Sequence, residues 1–98
     1  MRVNIQSEFK VSDNLDALIR ERLDKLATFY ERIERADVFV KRGDGKGPDH
    51  KTVEIRLAVP GPDLHAKGND EVVEKAVTEA ADKLRRQLLK MKERMNKH

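Results

Sequence analysis

The feature that most constrains this chain is a repeated change in the spacing of its apolar residues, from every second position to every third or fourth and back. A period of two lines one face of a strand, and a period near 3.6 makes a helical stripe, so one stretch cannot serve both. Val3, Ile5, Ser7 and Phe9 alternate with Asn4, Gln6 and Glu8, which predicts a half-buried strand. Ser12-Asp13-Asn14 is a cluster of helix N-cap residues. After it Leu15, Ile19, Leu23, Leu26, Tyr30 and Ile33, broadened by Leu18 and Phe29, predict a helix over 13–32.

Period two then returns. Ala36, Val38 and Val40 share one side of a strand over 36–41, and Val53, Ile55, Leu57 and Val59 share one side over 52–59. Between them, residues 42–49 hold three glycines and a proline among charges, which predicts a mobile loop. A glycine-rich loop invites a phosphate-cradle reading, but Walker spacing is missing and no helix follows. Pro60-Gly61-Pro62-Asp63 forces a turn into a short strand over 64–67, hence an antiparallel hairpin. Gly68-Asn69-Asp70 reads as the cap of a last helix with the apolar face Val73, Ala76, Val77, Ala80, Ala81, Leu84, Leu88, Met91 and Met95. The order is β-α-β-β-β-α, and each element has a single apolar side. The economical packing is an α+β two-layer sandwich, one four-stranded sheet with both helices on the same face. At 98 residues the chain has length for a single domain, 1–98.

Several classes of function fall away at this point. With no cysteine, disulfides, thiolate catalysis and Cys-built zinc sites are excluded, and a cytoplasmic location is the natural expectation. No apolar run approaches the ~20 residues that span a bilayer, and Met1-Arg2-Val3-Asn4 does not open a signal peptide. His50, His65 and His98 lack the i, i+4 spacing of a helical metal pair, and His65 alternates with Leu64 and Ala66 towards the open sheet face. Ser7, Ser12, Thr28, Thr52 and Thr78 lie in no nucleophile motif, and the carboxylates are interleaved with lysines and arginines as solvating pairs. The expectation is a non-enzyme with no cofactor, no metal and no small-molecule substrate.

Charge points elsewhere. The net charge is +3, but residues 83–98 carry seven lysines and arginines against Glu93 alone, a net of +6. The first 82 residues hold the other fourteen basic and seventeen acidic groups, a net of −3. Cations at a helix C-terminus suit the macrodipole, which is the plainest account of such a block. Their angular placement asks for more. On an ideal helix with Leu84 at 0°, Lys83, Arg86, Lys90, Arg94 and Lys97 fall at about 200–280°, away from the apolar stripe. Arg85 and Lys92 fall on the opposite flank, near ~80–100°. Like charges on one side repel unless a polyanion neutralises them, so the spacing predicts a phosphate-contacting ridge. An anionic membrane would need bulky apolar anchors, whereas this helix spends its Ala- and Val-rich side on the core. Helix-turn-helix and zinc-finger signals are missing, and the strands offer only Phe9 and Phe39 for base stacking. Folded RNA read by shape and phosphate is what remains.

Val3-Asn4-Ile5, Arg22-Leu23-Asp24-Lys25-Leu26, Leu64-His65-Ala66 leading to Asp70, and above all Lys83-Leu84-Arg85-Arg86-Gln87-Leu88-Leu89-Lys90 resemble the ribosome hibernation-promoting factor and protein Y family. The last run matches the family signature K-L-x-R-Q-L-x-K, and the likeness spans essentially the whole chain. The resemblance implies a fold similar to double-stranded-RNA-binding domains. It also implies binding to the small ribosomal subunit through its rRNA, where messenger RNA and the A- and P-site transfer RNAs would lie, with arrest of translation. Lys83, Arg86 and Lys90 carry over from the motif, as does Lys25; Arg94 and Lys97 extend the set along the helical wheel.

Two departures stand out. Asp70-Glu71-Val72-Val73 lacks the aromatic that often follows the aspartate in the family. The ending Lys92-Glu93-Arg94-Met95-Asn96-Lys97-His98 is basic, where protein Y has an acidic tail, and it resembles the short factors that favour ribosome pairing. The self-dimerising domain of the long members is not present in the sequence, so a monomer off the ribosome is expected. The rival readings are a general duplex-RNA binder and a protein-interaction module of the sigma-factor-modulating kind.

Overall fold

A computed structural model describes residues 1–43 and 49–95. The expected loop over 42–49 lies largely outside the described residues, as do Lys97 and His98. The elements are β1 (Arg2–Ser7), α1 (Asp13–Phe29), β2 (Arg35–Arg42), β3 (Lys51–Ala58), β4 (Leu64–Asp70) and α2 (Val73–Met95). They form one sheet in the order β1-β2-β3-β4. β1 and β2 are parallel, with α1 as the crossover between them, and the other neighbours are antiparallel.

One core unites the layers. Leu15, Ile19, Leu23 and Leu26 of α1 and Ala76, Val77, Ala80, Leu84 and Leu88 of α2 pack with Ala36, Val38 and Val40 of β2 and Val53, Ile55 and Leu57 of β3. The opposite sheet face carries Phe39, Glu54, Arg56, His65 and Lys67, none of them fully buried. The α+β sandwich with both helices on one face is therefore the observed architecture.

Local chemistry sets the ends of the elements. Ser12 caps α1, its Oγ accepting from the Leu15 N–H at 3.1 Å, and Asp13 and Asp16 lie in the first turn, where the macrodipole favours them. The helix stops at Phe29 instead of reaching residue 32. Tyr30 turns extended (φ −140°), yet it and Ile33 still bury their side chains. They prolong the apolar stripe in sequence while belonging to the turn into β2. At β1 the strand ends with Ser7, whose Oγ accepts from the Phe9 N–H at 3.1 Å, so Phe9 packs on the core from outside the strand. Gly61 adopts φ +90° in the β3–β4 turn, a conformation that costs glycine nothing.

The largest correction concerns Gly68-Asn69-Asp70. These residues are the end of β4, paired with Val53, Thr52 and Lys51, rather than the cap of the last helix. Gly68 is there for contact: a Cβ on it would overlap the carbonyl oxygen of Ala76, so only glycine lets α2 lie this close to β4. Asn69 Oδ1 accepts from the buried Thr52 hydroxyl at 2.6 Å across the ladder, which continues the strand pairing. Asp70 keeps a turn role, its Oδ1 accepting from the Val72 N–H at 2.9 Å just before α2 begins.

Candidate nucleic-acid interface

α2 is held by the small side chains of its first half and by Leu84 and Leu88 further on, all buried. With that stripe fixed, Arg86, Lys90 and Arg94 stand exposed on the outer side. Among the described residues none of the three has a hydrogen bond or ion pair. Arg94 lies lowest, beside Pro60, Pro62, Leu64, Met91 and Met95 at the β3–β4 turn.

Lys83 is placed differently. Its Nζ donates to the Lys67 carbonyl of β4 at 2.8 Å and pairs with Glu79 Oε1 at 3.2 Å. Gln87, one turn on, donates through Nε2 to the His65 carbonyl at 3.0 Å. Lys25 belongs to α1 and pairs with Glu21 at 3.3 Å, both groups well exposed. So of the predicted cations Arg86, Lys90 and Arg94 share an outer face, Lys83 leans over the edge of the sheet, and Lys25 stands on the other helix.

Lys25 has company there. The groove between the helices is lined by Lys25, Thr28, Phe29, Arg85 and Lys92, among others. The Arg85 guanidinium lies 4.7 Å and the Lys92 ammonium 4.5 Å from the centre of the Phe29 ring. Such cation–π contacts contribute about 0.5–1 kcal/mol at exposed sites. Lys92 Nζ also donates to the Phe29 carbonyl at 3.0 Å, where α1 ends. Arg22 adds a buried Nε with no hydrogen-bond partner among the described residues, beside the same helix pair. Sequence reasoning assigned Arg85 and Lys92 to the flank away from the ridge and gave them no role. The signal was their common angle with the α1 side of the stripe, together with an aromatic at the end of α1.

The open sheet face is cationic in composition and compensated only in part, since Arg56 has no ion pair among the described residues. Glu54 in the middle of β3 takes a 2.6 Å hydrogen bond from Lys41 and a second ion pair from Lys67 at 3.6 Å. The Lys41 hydrogen bond, chiefly, and the positive charge of both lysines hold its carboxyl below the ordinary glutamate range, against the opposing effect of partial burial. Arg35 pairs with Asp37 at 3.0 Å on β2. Among the described residues no cluster of His, Asp and Glu could hold a metal ion, and no helix is long and apolar enough to cross a membrane.

A four-stranded sheet backed by two helices on one face, with cations that have no partner among the described residues along the outer side of the second helix, defines an α+β two-layer sandwich with one cationic edge. Residues 3–96 match the family described as sigma 54 modulation protein / S30EA ribosomal protein, and the chain belongs to that family. Its fold is similar to that of a ribosomal subunit interface protein from Coxiella burnetii (TM-score 0.82, 20% identity, covering 94% of this chain and 98% of that one). It is also similar to the N-terminal domain of protein Y from Thermus thermophilus (TM-score 0.79, 19% identity, covering 93% and 99%). No curated protein matches the sequence significantly. The family is one of ribosome-associated modulators and not of enzymes.

Proposed function

We propose that this protein is a ribosome hibernation factor that binds the small ribosomal subunit through rRNA and blocks the places of messenger RNA and of A- and P-site transfer RNA. The observation that carries the proposal is the outward-facing set Arg86, Lys90 and Arg94, without partners among the described residues, on a helix pinned by its buried stripe. The family's association with ribosomes supplies the target. The mechanism involves no chemistry. A rigid body occupies the channel, and cations replace the counterions of the phosphates they meet. Lys25 and, outside the described residues, Lys97 extend the proposed contact set, and Lys83 contributes charge beside it. The protein acts in the cytoplasm, as a monomer until it meets the ribosome.

If about five phosphates are neutralised, the log–log salt slope of small-subunit binding is near −3.5 to −4.5, at ~0.7–0.9 per contact. Charge reversal at Arg86 and Lys90 is expected to abolish cosedimentation with small subunits while leaving the thermal transition in place. Cosedimentation equal to wild type would remove the ridge from the interface. The sigma 54 wording of the family description supports a second reading, a protein-interaction module. Pull-down from nuclease-treated lysate separates the two, because a protein partner survives digestion of RNA.

A further inference from the structure

Among the described residues β4 is an outer strand with β3 as its only neighbour. The Gly43 N–H donates to the His50 carbonyl, so the even-numbered residues of β3 direct their backbone groups to β2 and the odd-numbered ones to β4. Through the β3–β4 register, residues 64, 66, 68 and 70 bond to β3, while 65, 67 and 69 direct theirs to the free edge. Two of those edge carbonyls are occupied: His65 by the Gln87 amide at 3.0 Å and Lys67 by the Lys83 ammonium at 2.8 Å. The spacing is commensurate. Two strand residues span about 6.6–6.8 Å, and four helical residues rise about 6.0 Å. Glu79 steadies the Lys83 ammonium from one turn earlier, at 3.2 Å.

We infer that Lys83 and Gln87 form a seal along the free edge of β4, and that Lys83 makes no phosphate contact. The run 83–90 thereby divides into two interleaved i, i+4 pairs: Lys83 and Gln87 turn inward to the sheet edge, and Arg86 and Lys90 turn outward. An open edge presents unpaired N–H and carbonyl groups to any other strand, and covering two of its carbonyls with side chains removes acceptors that such a strand would need. The division of the cations rests on the proposed function, whereas the seal does not.

Hydrogen exchange and salt dependence test the two parts. Lys83→Met and Gln87→Leu are each expected to speed exchange of the Ala66 and Gly68 amides roughly fivefold, the effect of one net hydrogen bond. Arg86→Met is expected to leave those amides unchanged. In binding to purified small subunits, Lys83→Met should keep the wild-type log–log salt slope, whereas Arg86→Met should lower its magnitude by about 0.7–0.9. Wild-type exchange at both amides in both edge variants would overturn the seal. A slope loss in Lys83→Met equal to that of Arg86→Met would overturn the division of the cations. Should the wild-type protein fail to bind small subunits at all, the proposed function falls, and the exchange comparison still decides the seal.

Discussion

On the open face of the sheet, Lys41 and Lys67 flank Glu54, and Arg35 holds Asp37; on the outer side of α2, Arg86, Lys90 and Arg94 have no acidic partner among the described residues. Both surfaces are built from the same residue types. On the sheet, Glu54 draws Lys41 and Lys67 from the two neighbouring strands and Asp37 pairs with Arg35 along its own strand, while Arg56 has no ion pair among the described residues. On the helix, an i, i+4 partner was available in principle, since α1 uses such pairs at Asp16–Arg20 and Glu21–Lys25. The last three turns of α2 do not use one. The difference teaches that a run of cations without acidic partners, and not the presence of a cation, separates a solubilising surface from one kept ready for an anion.

The comparison can be broken most severely at the helix. Arg86→Glu with Lys90→Glu is expected to weaken small-subunit binding by about 100-fold or more, the loss of two charge-assisted contacts. Reversal of Lys41 and Lys67 on the sheet face should change affinity far less, and equal losses from both faces, measured by equilibrium cosedimentation, would erase the distinction. Gly68→Ala tests what holds the helix up. The added methyl meets the Ala76 carbonyl, so a destabilisation of about 1–3 kcal/mol is expected in denaturant titration.

The compensated face has its own signature. Because the folded Glu54 carboxyl ionises below the ordinary value near 4.5, its contribution is present above that pH and fades as pH falls through the lower folded value. Glu54→Gln should therefore cost about 0.2–1 kcal/mol at neutral pH. The deficit should vanish below the folded value, which chemical denaturation from pH 7 down to about 3 would record. The smallest effect belongs to the exposed Glu21–Lys25 pair. Glu21→Gln should change stability by only about 0.2–0.5 kcal/mol.

Where periodicity and tertiary packing agreed, the sequence could be read directly. The strands over Ala36, Val38 and Val40 and over Val53, Ile55 and Leu57, the Ser12 cap and the α2 stripe from Ala76 to Leu88 stand where their spacing put them, whereas Met95, expected on that stripe, is exposed because the helix runs past the core there. Tyr30 and Ile33 misled because a buried turn residue extends a helical stripe as well as a helical residue does. Gly68-Asn69-Asp70 misled because glycine and asparagine signal a cap locally, whereas here glycine answers a close helix approach and Asn69 a cross-strand hydroxyl. At the interface, the outward direction of Arg86 and Lys90 was legible from angles alone. The engagement of Lys83 with β4, and of Arg85 and Lys92 with Phe29, was not, because a helical wheel contains no neighbours.

The most direct measurement is the salt dependence of binding to purified small ribosomal subunits, comparing wild type with Arg86→Met/Lys90→Met and with Lys41→Met/Lys67→Met. Phosphates meeting the unpaired ridge require the first pair to lower the magnitude of the log–log slope by about 1.4–1.8 and the second pair to leave it unchanged. Equal slopes for wild type and the ridge variant, or a loss confined to the sheet-face variant, would contradict the account.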